Sequence, residues 1–199
     1  RAHFTRIELR NLPAEGTAAM VSGLLETSGI PFALQQLIAA KSDGNPFFVE
    51  EVTRELLESG VLMHDERGYS LARDAADVRI PDTVHDVILS RLDRLPPRAR
   101  DAVQRAAVIG REFPLALLER VENSGDGLTE TMRGLLEMGL VYEQRTPTGE
   151  PAYMFKHALT QDVAISTLLG DRRRELHRAV AAAIEHTYAG AADQDEALA

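Results

Sequence analysis

The groups in this chain that could do chemistry are few, and their spacing removes most of the reactions open to such groups. It has six histidines, no cysteine, and only two lysines, Lys41 and Lys156. Without cysteine there is no disulfide and no thiolate metal site, a usage that fits a reducing compartment. No H-E-x-x-H pair sets up a zinc site and no G-x-S-x-G sets a serine on a nucleophile elbow. His177 and His186 are nine residues apart, too far for one helix face to share a metal between them. A phosphate-cradling loop requires G-x-x-x-x-G-K-[ST], and neither lysine follows a glycine. No apolar strand ends in paired acids that would hold magnesium. The expectation is a chain with no catalytic centre and no metal site of its own. Two places stand out, the Gly44-Asn45-Pro46 turn and His157, and their reading depends on the elements that carry them.

Those elements follow from periodicity. Phe4, Ile7 and Leu9 form a strand-like run that needs a partner. Pro13 opens a helix with Ala18, Val21, Leu24 and Leu25 on one face, and a second follows Pro31 with Leu34, Leu37 and Ile38. Lys41-Ser42-Asp43-Gly44 breaks it. Asn45 is a good helix cap and Pro46 suits the first helical position, ahead of Phe48, Val49, Val52 and Leu56. After Gly60, two short apolar runs flank Asp65-Glu66-Arg67-Gly68 and predict a hairpin, and 72–79 reads as a linker. From Ile80 a helix carries Val84, Val87, Ile88, Leu92 and Leu95; another covers Ala99 to Ile109 and a short one follows Pro114. Leu128, Met132, Leu135 and Leu136 make a clean helical stripe closed by Gly139, and two strands, Leu140-Val141-Tyr142 and Tyr153-Met154-Phe155, come next. Helix, short helix, helix, hairpin is the order of a winged helix. The chain then returns to helix and ends in an acidic, Ala-rich tail expected to fray.

The expected fold class is mainly α: a helical lid bundle, a winged-helix domain, two short β-hairpins, and the start of a helical arm. The boundaries are 1–12 for a last strand of a preceding domain, 13–78 for the lid, 79–156 for the winged helix and 157–199 for the arm and tail. Opening on Arg1 and a strand-like run predicts a segment cut from a longer chain.

Composition narrows the function classes. The formal charge of -9 repels phosphate backbones, and 5% aromatics without tryptophan leave little to stack on single-stranded bases. The stripe from Leu128 to Met138, which would be the recognition helix, carries Glu130, Glu137 and only Arg133, whereas the major groove calls for basic and amide side chains. It is expected to pack on protein, with no direct DNA binding. Arg172-Arg173-Arg174 lies near a helix start, where positive charge opposes the dipole. Either it meets an acidic partner or phosphate, or it is a solvated face offset by Asp171 and Glu175. No apolar run approaches the roughly 20 residues of a membrane span and no signal peptide is visible, so a cytoplasmic protein is expected.

Three segments together resemble one family. They are Gly44-Asn45-Pro46-Phe47-Phe48-Val49-Glu50-Glu51; Ile80-Pro81-Asp82-Thr83-Val84 with Ser90-Arg91-Leu92-Asp93-Arg94-Leu95-Pro96 and Ala106-Ala107-Val108-Ile109-Gly110-Arg111-Glu112-Phe113; and Phe155-Lys156-His157-Ala158-Leu159-Thr160-Gln161-Asp162-Val163-Ala164 with Arg172-Arg173-Arg174-Glu175-Leu176-His177. In this order they resemble the C-terminal half of STAND-type predicted ATPases, which occur beside class III adenylate or guanylate cyclase domains or in large LuxR-type activators. The resemblance implies a P-loop core before the lid, a helical-repeat arm after the winged helix, and ATP or ADP bound between core and lid in the whole protein, with no cofactor on this chain alone. It assigns Gly44, Asn45 and Pro46 to the nucleotide side of the lid, the proline ring near the adenine and free N–H groups at the helix start. It assigns His157 to the β-phosphate of ADP. Family relatives with the fuller motif read Met-His-Asp, where this chain has Lys156-His157-Ala158. The same residues also describe an ordinary capped helix start and a histidine satisfying backbone at a strand-to-helix junction.

The implied function is a non-catalytic, nucleotide-gated switch element that moves an output domain, with the core, the arm and other proteins as partners. A winged-helix DNA-binding regulator and a nucleotide-independent scaffold are the alternatives.

Overall fold

The computed structural model describes residues 8–27, 29–65, 68–72, 80–122, 127–146 and 149–196, with side chains through residue 187. Among them the chain forms nine helices and five strands, a mainly α protein with two small antiparallel sheets. It divides into two units, Arg1–Ile88 and Leu89–Ala199.

The first unit packs α1 (Ala14–Leu24), α2 (Phe32–Ser42) and α3 (Pro46–Glu58) around Val21, Leu25, Leu34, Ile38, Val49, Val52 and Leu56. These are the apolar positions spaced to fall on one side of each helix, so burying them together removes three stripes from water at once. Gly60, at φ +69°, ends the run after α3, and a hairpin follows, β1 (Leu62–Asp65) with β2 (Gly68–Leu71). Its register pairs Leu62 with Leu71, and Leu62 is its buried anchor in this core. Glu8 and Leu9 have no regular structure; the remainder of the expected strand from Phe4, and residues 73–79 of the expected linker, lie outside the described residues.

The division between units falls inside α4 (Val84–Arg94). Thr83 caps this helix: its Oγ1 accepts the Asp86 N–H at 3.1 Å and donates to Asp86 Oδ2 at 2.7 Å.

The second unit contains α5 (Pro97–Ile109), β3 (Glu112–Pro114), α6 (Leu115–Glu122), α7 (Leu128–Glu137), β4 (Val141–Arg145), β5 (Pro151–Phe155), α8 (Ala158–Ser166) and α9 (Gly170–Glu196). Its sheet runs β3-β5-β4, antiparallel throughout, with Phe113 opposite Tyr153 and Val141 opposite Phe155. Strand β3 was not expected. It is three residues long, too short for a period-two pattern, and is recruited only because β5 offers a free edge. With it the order becomes that of a complete winged helix. Phe113 and Phe155 are fully buried with ring centroids 5.5 Å apart. Buried Arg91 donates from Nη2 to the Met138 carbonyl at 2.8 Å, a cation set on the C-terminal end of α7 where the dipole favours it. The last two helices belong to this unit: Gln161 of α8 donates to the Ala107 carbonyl of α5 at 3.0 Å, and α9 buries Leu176, Val180 and Ala183 with Val108, Leu117 and Val121. No helix among the described residues is long and apolar enough to cross a membrane.

Candidate functional site

Asp43 and Gly44 are consecutive left-handed residues, at φ +46° and +69°, and between them they reverse the chain from α2 into α3. Asn45 follows as the N-cap. Its Oδ1 accepts the N–H groups of Phe47 at 3.0 Å and Phe48 at 3.4 Å, and its backbone carbonyl accepts Val49 N–H at 2.9 Å. Pro46 has no N–H. The start of α3 therefore does not offer the free N–H groups expected from the sequence, because the cap residue that marks the helix also consumes its donors. Behind it lie three buried carboxylates, Glu50, Glu51 and Glu55, with Glu50 held 3.2 Å from Arg54. This is a poor place for a phosphate. What α3 does present is apolar and neutral: the exposed ring of Pro46 and the exposed amide of Asn45.

Gly44, by contrast, is buried. A Cβ there would sit 2.1 Å from the Leu12 carbonyl oxygen. The Leu12 N–H donates to the Gly44 carbonyl at 2.7 Å and Asn11 Nδ2 donates to the Asp43 carbonyl at 2.8 Å. Gly44, Asn45 and Pro46 thus share one turn, with the glycine facing the segment before α1 and only the other two facing outward. Asn11 and Leu12 had no local signal in the sequence; they find their partner 32 residues away.

His157 is in the second unit, in the junction between β5 and α8. It is extended (φ -129°, ψ 136°), its side chain makes no cap hydrogen bond, and its carbonyl accepts Thr160 N–H at 3.1 Å. The residue before it closes the wing, Lys156 N–H donating to the Leu140 carbonyl at 3.1 Å. The imidazole is half-buried.

Two basic features resolve into structure. Arg172 spans from Glu175 (2.8 Å) to Asp101 of α5 (3.3 Å), and Asp101 also holds Arg105, whose Nη1 donates to the Val121 carbonyl at 2.7 Å. Arg174 pairs with Asp171 on the same helix. On α7 the lone base, Arg133, pairs with Glu130, leaving an exposed face of Thr129, Glu130, Arg133 and Glu137 with net negative charge.

No protein-family model matches the chain. Over 187 residues, 92% of its length, it is 26% identical to an uncharacterized protein of Rhizobium meliloti (strain 1021), and it spans 18% of that protein.

Proposed function

We propose that this chain is a regulatory, non-catalytic element of a large cytoplasmic signalling ATPase of the STAND type, a switch that passes the ATP or ADP state of a nucleotide-gripping core to an output domain such as a cyclase or a transcription regulator. The observation that carries this reading is the order of parts: a three-helix unit opening α3 on Gly44-Asn45-Pro46, then a winged helix whose second wing strand runs directly into His157. A 92% match lying within 18% of a relative's length fits one element of a long chain. The chemistry of α3 refines the proposed contact. Its capped start and the acids behind it suit the uncharged base of a nucleotide, stacked on Pro46, so the phosphates must be gripped by another part of the protein. In the second unit, the family resemblance assigns His157 to a phosphate contact. The acidic face of α7 counts against the DNA-binding alternative.

Titration calorimetry tests the proposal. The 199-residue chain is expected to bind ADP no better than millimolar, and the complete parent protein to bind it at micromolar or tighter. In the parent, His157→Ala is expected to weaken ADP about tenfold, the worth of one hydrogen bond to a charged group. Micromolar ADP on this chain alone, or a parent that binds no nucleotide, would overturn the proposal; the second result would leave a nucleotide-independent scaffold.

A further inference from the structure

The turn that aims Asn45 and Pro46 is held from outside its own helices. A left-handed aspartate is tolerated better than most side chains in that region but still carries a cost, which hydrogen bonds from its surroundings offset. At Asp43 and Gly44 one short extended segment supplies two of these bonds. The Asp43 carbonyl accepts Asn11 Nδ2 and the Gly44 carbonyl accepts Leu12 N–H. The approach is so close that only glycine admits it, since any Cβ would meet the Leu12 oxygen at 2.1 Å. On its other side Leu12 lies against α1: a Cβ on Gly16 would stand 3.5 Å from both Leu12 Cβ and Cδ2, and Thr17 N–H bonds the Pro13 carbonyl at 2.9 Å. On the far side of the turn, Asn45 N–H bonds the Ser42 carbonyl at 2.9 Å.

We infer that Asn11 and Leu12 are positioning residues, a backbone clasp that sets the Asp43–Gly44 turn, so that the chain entering α1 and the exposed Asn45–Pro46 start of α3 move as one body. A displacement of the segment before α1 then reaches the start of α3 through two hydrogen bonds. The glycine of the Gly44-Asn45-Pro46 motif serves the clasp, and only its neighbours serve the surface. The clasp is a property of the first unit and stands whether or not a nucleotide occupies that surface.

Amide hydrogen exchange on the 199-residue protein, read residue by residue by NMR, tests the clasp. In the wild type the Leu12 amide is expected to exchange at least about tenfold more slowly than its neighbours Arg10 and Asn11, as a lone bonded donor in an extended segment should. Asn11→Asp puts an acceptor against the Asp43 carbonyl. It is expected to lower protection about fivefold to tenfold at Leu12 and, together with it, at Asn45. Thr53 in α3 and Ser70 in β2, which faces Met63 in the hairpin ladder, keep their wild-type rates. Gly44→Ala strains the turn as well as the clasp, so Asn11→Asp, with Asn11→Ala beside it, carries the test. Loss at Leu12 with Asn45 unchanged overturns the coupling. So does an unprotected Leu12 in the wild type, or a uniform loss that includes Thr53.

Discussion

Asp82 and Glu122 respond to pH in opposite senses, and each has a physical cause visible at the side chain. Lys41 Nζ lies 2.6 Å from Asp82 Oδ1, and that hydrogen bond, with the ammonium charge behind it, holds the Asp82 carboxyl below its usual range. The unfolded chain binds this proton more readily than the folded one, so the stability from the pair is present above about pH 3.9 and is lost as pH falls through the lower folded value. Glu122 closes α6, and burial pushes its carboxyl up against the weaker opposing pull of Arg105 and Arg98. Here the folded chain holds the proton more tightly, so stability falls as pH rises from about 4.3 through the raised folded value. Its carboxylate also sits at a helix C-terminus, where the dipole disfavours it. Urea unfolding at several pH values is expected to give Asp82→Asn a flatter acid limb than the wild type. Glu122→Gln is expected to gain stability at pH 7, by no more than about 0.5 kcal/mol because solvent screens a group only partly buried, and nothing at pH 3.

At the start of α9, Arg172, Arg173 and Arg174 oppose the helix dipole, so ion pairs matter there. Asp101 offsets this from α5 by holding both Arg105 and Arg172. Asp101→Ala is expected to cost about 1 kcal/mol in denaturant unfolding, since it releases two partly exposed pairs at once. Glu175→Ala removes only the exposed pair local to α9 and is expected to cost less than half as much. The reverse order would mean that α9 is not anchored through α5.

Each unit of the whole molecule has its own buried cluster, Leu34 and Ile38 among the first and Met132 and Leu135 in the second, all essentially inaccessible to water. Leu34→Ala and Leu135→Ala are each expected to cost about 2–5 kcal/mol of the unit they occupy. Hydrogen exchange separates the two effects. Leu34→Ala should speed exchange at Thr53 and leave Phe155 unchanged, and Leu135→Ala should do the opposite. Equal loss at both amides from either variant would mean that the units unfold as one.

The sequence alone determined the helical core. Val21, Leu34, Val49, Leu56, Met132 and Leu135 recur at helical spacing, and periodicity is a local property that survives without knowing what each stripe packs against. It also marked the turn at Gly44 and the cap at Asn45, whose roles follow from backbone conformation within a few residues. Tertiary structure decided what those residues are for. Asn45 consumes the N–H groups that a bare helix start would offer, Gly44 admits the backbone of Leu12, and β3 exists because β5 presents an edge. Arg91 and Arg172 become fold residues through partners on other elements, at the end of α7 and on α5. The reason is common to all of them: a hydrogen bond or ion pair between residues far apart in the chain leaves no period in the sequence, and its existence depends on which surfaces the packed helices bring within about 3 Å of one another.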